Sequence, residues 1–285
     1  QEDKMQAPVN EDTLCIYNIS ATSREFVWKN TDIYGNNNDQ AVILEDEIIY
    51  NNGAKVWRIT KENAKWQAEE LPDMQFSVLA PAMDEYLLRQ DDGVVINDFN
   101  DETWAKANIG YVTIAKWRAG GDEIAMITDD GSAVSLWDPA TDSVKKLAVG
   151  RELPAVRDWV EINGLNYSAD GKYLLISFLC ESGNCLVLWD TKADEAVDEK
   201  YFTAELTILD VSYDQALYTI DAGMDAHVLG IYDFQTQKLT SIEQGGMVYT
   251  AACRLSEEQA LISKFSLENE ENTLSVLNLS EYLAR

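Results

Sequence analysis

A chain of 285 residues with 46% apolar and 25% charged side chains has the material for a sizeable core, and this composition excludes a disordered chain. The 50 acidic against 22 basic residues give a formal net charge of −28, spread along the sequence, which repels a phosphate backbone and forfeits the counterion release that drives nucleic-acid binding. No apolar run approaches the roughly 20 residues of a membrane-crossing helix. Such a charge favours a basic protein partner or bound cations, beside its plain effect on solubility.

The polar opening Gln1-Glu2-Asp3-Lys4, with no initiator Met, reads as a mature chain whose leader has been cut off, or as a trimmed one. Segments 4–9, 13–18 and 24–30 read as strands. A connection follows at 31–40, Thr-Asp-Ile-Tyr-Gly-Asn-Asn-Asn-Asp-Gln, which carries Tyr34 and an oxygen-rich run of Asp32, Asn36, Asn37, Asn38 and Asp39. That run could hold calcium, but its spacing does not match the EF-hand loop, and no metal site is assigned to it.

From there the chain repeats itself. Strand ends at Tyr17-Asn18, Trp57-Arg58, Asn97-Asp98, Trp137-Asp138, Trp189-Asp190, Tyr232-Asp233 and Leu277-Asn278 are separated by steps of 40, 40, 40, 52, 43 and 45 residues. A period in the forties with four short strands per repeat is the signature of a β-propeller. The most regular copy has strands at 111–117, 123–128, 133–138 and 143–149, with turns at Gly120-Gly121-Asp122, Asp129-Asp130-Gly131 and 139–142. Gly, Asn and Asp supply the positive φ of tight hairpins, so Asp91-Asp92 and Asp129-Asp130 are expected to be turn chemistry rather than metal ligands.

Tyr167-Ser-Ala-Asp-Gly-Lys-Tyr-Leu-Leu-Ile-Ser177, followed by Leu186-Val-Leu-Trp-Asp190, resembles a repeat of the WD-repeat propeller family, and Ser-Leu-Trp-Asp at 135–138 resembles a second. The chain is a divergent, WD-like case that also resembles the propellers of bacterial envelopes. The family's Gly-His dipeptide is missing, since the sole histidine is His227, so the hydrogen-bond network built on that dipeptide does not carry over. The expected fold is a single all-β propeller over 1–285, seven-bladed, with a six-bladed ring as the alternative, closed by its N- and C-terminal strands. Trp28, Trp57, Trp66, Trp104, Trp137 and Trp189 are expected to pack between blades. Trp117 and Trp159 lie in or beside inner strands, next to Arg118 and Asp158, where they could line a central channel or its mouth.

The cysteines are Cys15, Cys180, Cys185 and Cys253. Cys180 and Cys185 bracket Glu-Ser-Gly-Asn between apolar runs, a pattern that predicts facing strands and a disulfide, hence an oxidising compartment. Cys15 and Cys253 would both lie near the closure of the ring. The triplets at Asn18, Asn166 and Asn278 match a glycosylation acceptor, a pattern common by chance. With one histidine there is no His cluster for a catalytic metal and no nucleophile–His pairing suggested by spacing.

The excess in the 52-residue step falls mostly on 150–159, Gly-Arg-Glu-Leu-Pro-Ala-Val-Arg-Asp-Trp, which is expected on the same face as 31–40. Insertions on one face of a repeat protein mark its binding face. The reading is therefore a non-catalytic scaffold with no cofactor, an accessory subunit of an extracytoplasmic (periplasmic or extracellular) assembly. Its partner-binding residues would be Arg151, Arg157, Asp158, Trp159, Trp117, Arg118 and Tyr34, since Arg and Trp are enriched in interface hot spots. The alternatives are a small-ligand or glycan-acting module at the channel mouth that uses Asp and Glu, and a cytoplasmic WD-like adaptor.

Overall fold

The computed structural model describes residues 12–18, 23–30, 40–43, 47–51, 55–63, 65–71, 77–80, 85–98, 102–129, 131–147, 158–221, 223, 226–266, 268 and 271–283. The chain divides into two compact units, one of Gln1–Val78 with Tyr86–Arg89, the other of Leu79–Glu85 with Gln90–Arg285. In the first, β1 (Asp12–Asn18) pairs antiparallel with β2 (Ser23–Asn30). Strands β3 (Gln40–Ile43), β4 (Glu47–Asn51), β5 (Val56–Glu62) and β6 (Lys65–Leu71) form a four-stranded sheet. Its core holds Ile48, Tyr50, Trp57 and Ile59, with Trp66 packed against them and the Tyr50 and Trp57 rings stacked at 5.6 Å.

Each later sheet is again a meander of strands consecutive in sequence. They are β7 (Ser77–Leu79), β8 (Glu85–Gln90), β9 (Gly93–Asp98) and β10 (Thr103–Ala107), then β11 (Ile114–Trp117), β12 (Ile124–Thr128), β13 (Ala133–Asp138) and β14 (Ser143–Lys146). Next come β15 (Trp159–Tyr167), β16 (Tyr173–Cys180), β17 (Gly183–Asp190) and β18 (Glu195–Phe202), followed by β19 (Glu205–Val211), β20 (Gln215–Asp221), β21 (His227–Asp233) and β22 (Lys238–Gly245). Among the described residues the last sheet has three strands, β23 (Met247–Ser256), β24 (Gln259–Ser266) and β25 (Glu271–Asn278), ahead of a one-turn helix α1 (Ser280–Leu283). The four-stranded antiparallel repeat expected from the period is thus the unit of the structure.

Within the second unit the sheets stack face to face, and the middle strands show why their sequences are apolar without alternation. Leu174, Ile176, Phe178 and Cys180 of β16, with Cys185, Val187 and Trp189 of β17, pack on Ala125, Ile127, Val134 and Leu136 of the preceding sheet. The interleaved Tyr173, Leu175, Leu186 and Leu188 pack on Leu206, Ala216, Tyr218 and Phe234 of the following one. A strand covered on both faces must be apolar at every position, which yields a continuous run instead of a period of two. Leu217, Leu229 and Ile231 continue the pattern onto Tyr249, Ala260 and Ile262.

The recurrent Asp after the marker residue closes the outer hairpin. Asp138 Oδ1 accepts from the backbone N–H of Ala140 and Thr141 at 2.9 and 3.1 Å, and Asp190 Oδ1 accepts from Lys192 and Ala193 at 2.9 and 2.8 Å. Asp233 Oδ1 takes the Thr236 N–H at 2.7 Å. Each turn then passes through a left-handed residue, Asp142, Asp194 or Gln237, at φ of 53°, 60° and 57°. This is Asx-turn chemistry repeated at one register. The marker indoles themselves are held by packing: Trp137 and Trp189 are buried, and neither Nε1 has a hydrogen-bond partner.

Three expectations are corrected. Trp104 is half-exposed rather than packed between sheets, because the β10–β9 register shifts between Thr103 and Ala105 and leaves Trp104 as the bulge residue. Cys180 and Cys185 do not face each other: the turn is the two residues Glu181-Ser182, which sets Cys180 opposite Gly183 and Cys185 opposite Phe178. The two thiols are diagonal neighbours, free and buried, so the facing geometry behind the expected disulfide, and the argument for an oxidising compartment, do not form. Part of the 52-residue step is strand rather than loop, since β15 has nine residues against four in β11. Trp28 and Cys15 lie outside the residues whose side chains are described.

Two predictions follow the turn geometry. Gly183 sits at φ +155°, and a Cβ there would lie 2.0 Å from the Phe202 carbonyl oxygen. Gly183→Ala is expected to lower the free energy of urea unfolding by about 1–3 kcal/mol, and Gly245→Ala, where a Cβ meets nothing within 4 Å, to leave it unchanged. Hydrogen bonds from Thr141 and Ala140 hold the Asp138 carboxyl below its ordinary value. A depressed carboxylate contributes stability above its unfolded value, near about pH 4, that is lost as pH falls through the folded one. The stability difference between wild type and Asp138→Ala is therefore expected to shrink on acidification below about pH 4, measured by urea unfolding across a pH series.

Candidate functional site

The residues expected to bind a partner separate in space. In the second unit, inner strands β11 and β15 run side by side from the same end, with the Ile162 N–H donating to the Gly131 carbonyl at 2.8 Å near their beginnings. Asp158 and Trp159 stand where β15 begins, whereas Trp117 and Arg118 stand where β11 ends. Trp117 is buried, in register with Ile124. Arg118 is spent within the fold: Nε donates to the Gly171 carbonyl at 3.0 Å, Nη2 to Thr191 Oγ1 at 3.3 Å, and Nη1 lies 3.7 Å from Asp122. Gly171, at φ +68°, is required there, because a Cβ would come within 2.7 Å of the Arg118 side chain. Tyr34, Arg151, Arg157, the calcium candidate at 32–39 and the Trp159 side chain lie outside the described residues.

At the end where β11 and β15 begin, the structure exposes apolar side chains that the sequence did not single out. Tyr111 is 53% exposed, Val160 59% and Leu179 38%. Val160 projects because the β15–β16 register shifts between Trp159 and Glu161, and Leu179 is the partner of Glu161. The acidic side chains Asp158, Glu161 and Glu181 are exposed at the same end, and the Glu181 N–H donates to the Asp158 carbonyl at 3.1 Å. Asp129, at φ 57°, forms the neighbouring turn with its carbonyl accepting from Ser132 N–H, and its carboxylate pairs with Lys146. The expected turn role of Asp129 is thus what the backbone shows. Exposed apolar and acidic side chains thus share this end of the strands.

Groups with reactive potential are few among the described residues. No group of three or more His, Cys, Asp or Glu side chains there could hold a metal ion. His227 opens β21 opposite Asp221, buried, with Nδ1 3.4 Å from Asp221 Oδ1 and Nε2 without a hydrogen-bond partner. Burial, with Cys180 and Glu199 adding to it, pushes the Cys185 thiol up to about 12. The thiolate is the reactive form, so Cys185 is chemically quiet at neutral pH. In the native protein iodoacetamide is expected to label exposed Cys253 well ahead of Cys185, which labels only on unfolding; peptide mapping under non-reducing conditions checks both this and the free state of Cys180.

No protein-family model and no curated protein sequence matches this chain. Solved structures do. An oligogalacturonate lyase in complex with manganese superposes with a TM-score of 0.61 at 11% identity, over 93% of this chain and 82% of that one. The β-propeller domain of Cps50 (Swd1) from Myceliophteria thermophila gives 0.56 at 10% identity, over 84% and 89%. A putative TolB from Agrobacterium tumefaciens gives 0.53 at 11% identity, over 82% and 90%. At such identities the likeness speaks for architecture alone, and together with the repeated four-stranded meanders it establishes that this chain has the β-propeller fold.

Proposed function

We propose that this protein is a non-catalytic interaction scaffold, an accessory subunit that docks a basic protein partner through the end where β11 and β15 begin. The observation that carries this reading is the joint exposure of Tyr111, Val160 and Leu179 beside Asp158, Glu161 and Glu181. Completing the burial of a half-exposed Val or Leu is worth about 1 kcal/mol each, enough for a central patch once a polar rim excludes water. The net charge of −28 adds long-range attraction for a basic surface, which acts on the rate of encounter more than on final affinity.

The test compares capture from native extract by wild type, by Val160→Glu with Leu179→Glu, and by Val144→Glu on an exposed position of β14. The double variant is expected to lose the bound species by roughly tenfold or more with the β-sheet circular dichroism unchanged, and wild-type capture to fall with added salt. Equal capture by all three proteins, or capture indifferent to salt, overturns the proposal.

A further inference from the structure

At the opposite end of the strands in the second unit, where β19 and β23 turn back, two segments some forty residues apart in sequence enclose a cavity of about 250 Å³. It is lined by Ser212, Tyr213, Asp214, Gln215, Arg254 and Glu257. That volume lies below the ~300 Å³ at which drug-sized pockets begin, and suits one small ring with its substituents.

The buried part of the lining donates hydrogen bonds. The Arg254 side chain is 12% exposed and held from three sides: Nη2 donates to Gln215 Oε1 at 3.0 Å, Nη1 to the Glu257 carbonyl at 3.3 Å, and Nε stands 3.6 Å from Asp210 Oδ2. That last separation is an ion pair but not a hydrogen bond, and both atoms are buried without a hydrogen-bond partner. Because the Gln215 oxygen is committed to Arg254, the orientation of the buried carboxamide is fixed and its NH₂ group is the part left to donate. The lining also includes Asp214 and Glu257, whose ionised carboxylates can only accept hydrogen bonds. Ser212 Oγ donates to the Gln215 carbonyl at 3.2 Å and retains its lone pairs. Tyr213, 60% exposed, adds a flat ring.

Charge and hydrogen-bond direction together select the ligand class. Asp210, Asp214 and Glu257 set three carboxylates against one guanidinium, so an anion is repelled. An ammonium group would satisfy the carboxylates but would have to face the Arg254 and Gln215 donors. A neutral ring bearing several hydroxyls avoids both penalties, since each hydroxyl donates to one neighbour and accepts from another, and its C–H face is matched by the Tyr213 ring. We propose that this cavity binds one ring of a neutral saccharide. The site is independent of the docking surface, which lies at the other end of the strands and shares no residue with it.

Saturation-transfer NMR of the full chain with maltose, cellobiose and N,N′-diacetylchitobiose tests this, with digalacturonate and a lysine tripeptide as the charged controls. At least one neutral disaccharide is expected to bind, with neither control doing so, and Tyr213→Ala is expected to weaken that binding by roughly tenfold. Tyr213 is exposed, so circular dichroism should confirm that this variant keeps its fold. Binding of a charged control in place of the neutral sugars, binding by none of the three, or an unchanged affinity in Tyr213→Ala overturns the proposal.

Discussion

Burial of both faces of the middle strands is the constraint on which the second unit depends. Phe178 and Trp189 look toward one neighbouring sheet while Leu175 and Leu188 look toward the other, so each sheet is at once the lid of one core and the floor of the next. A residue such as Phe178, fully buried, costs about 3–5 kcal/mol when truncated to Ala. Gly230 shows how tightly the layers mesh: a Cβ there would lie 2.4 Å from the Tyr218 ring, so the absence of a side chain on β21 makes room for an aromatic on β20.

Polar groups stitch the same layers at their margins. Tyr167 donates to Glu123 at 2.8 Å, Tyr232 to Asp198 at 2.5 Å and Tyr249 to Glu243 at 3.0 Å, each reaching from one sheet to its predecessor. Burial, reinforced by the adjacent carboxylate, raises all three phenols, which keeps them protonated as donors. The buried indoles of Trp137 and Trp189 forgo such bonds. An unpaired buried N–H costs about 1–3 kcal/mol, which the burial of an indole offsets.

The two ends of the strands differ in chemistry for a local reason. Where β11 and β15 begin, a register shift turns Val160 outward among carboxylates. Where β19 and β23 turn back, Arg254 is drawn inward by Asp210 and Gln215 and leaves a polar hollow beside Tyr213. A fold of repeated meanders thus carries two unlike surfaces built by deviations of one or two residues from the repeat.

Read alone, the sequence established the period, the four-stranded repeat and the turn role of Asp129, because turn residues and apolar runs act over neighbours in the chain. It also placed Trp57, Trp137 and Trp189 in the core. The folded chain was needed to show that Asp138, Asp190 and Asp233 close their turns, that Cys180 and Cys185 sit diagonally, that Trp104 bulges outward, that Arg118 is consumed by Gly171 and Thr191, and that Gln215 meets Arg254. Register is fixed by the length of a turn to a single residue, and a slip of one moves every side chain to the other face. Contacts between positions 39 to 73 residues apart arise from how sheets stack, which no local pattern encodes.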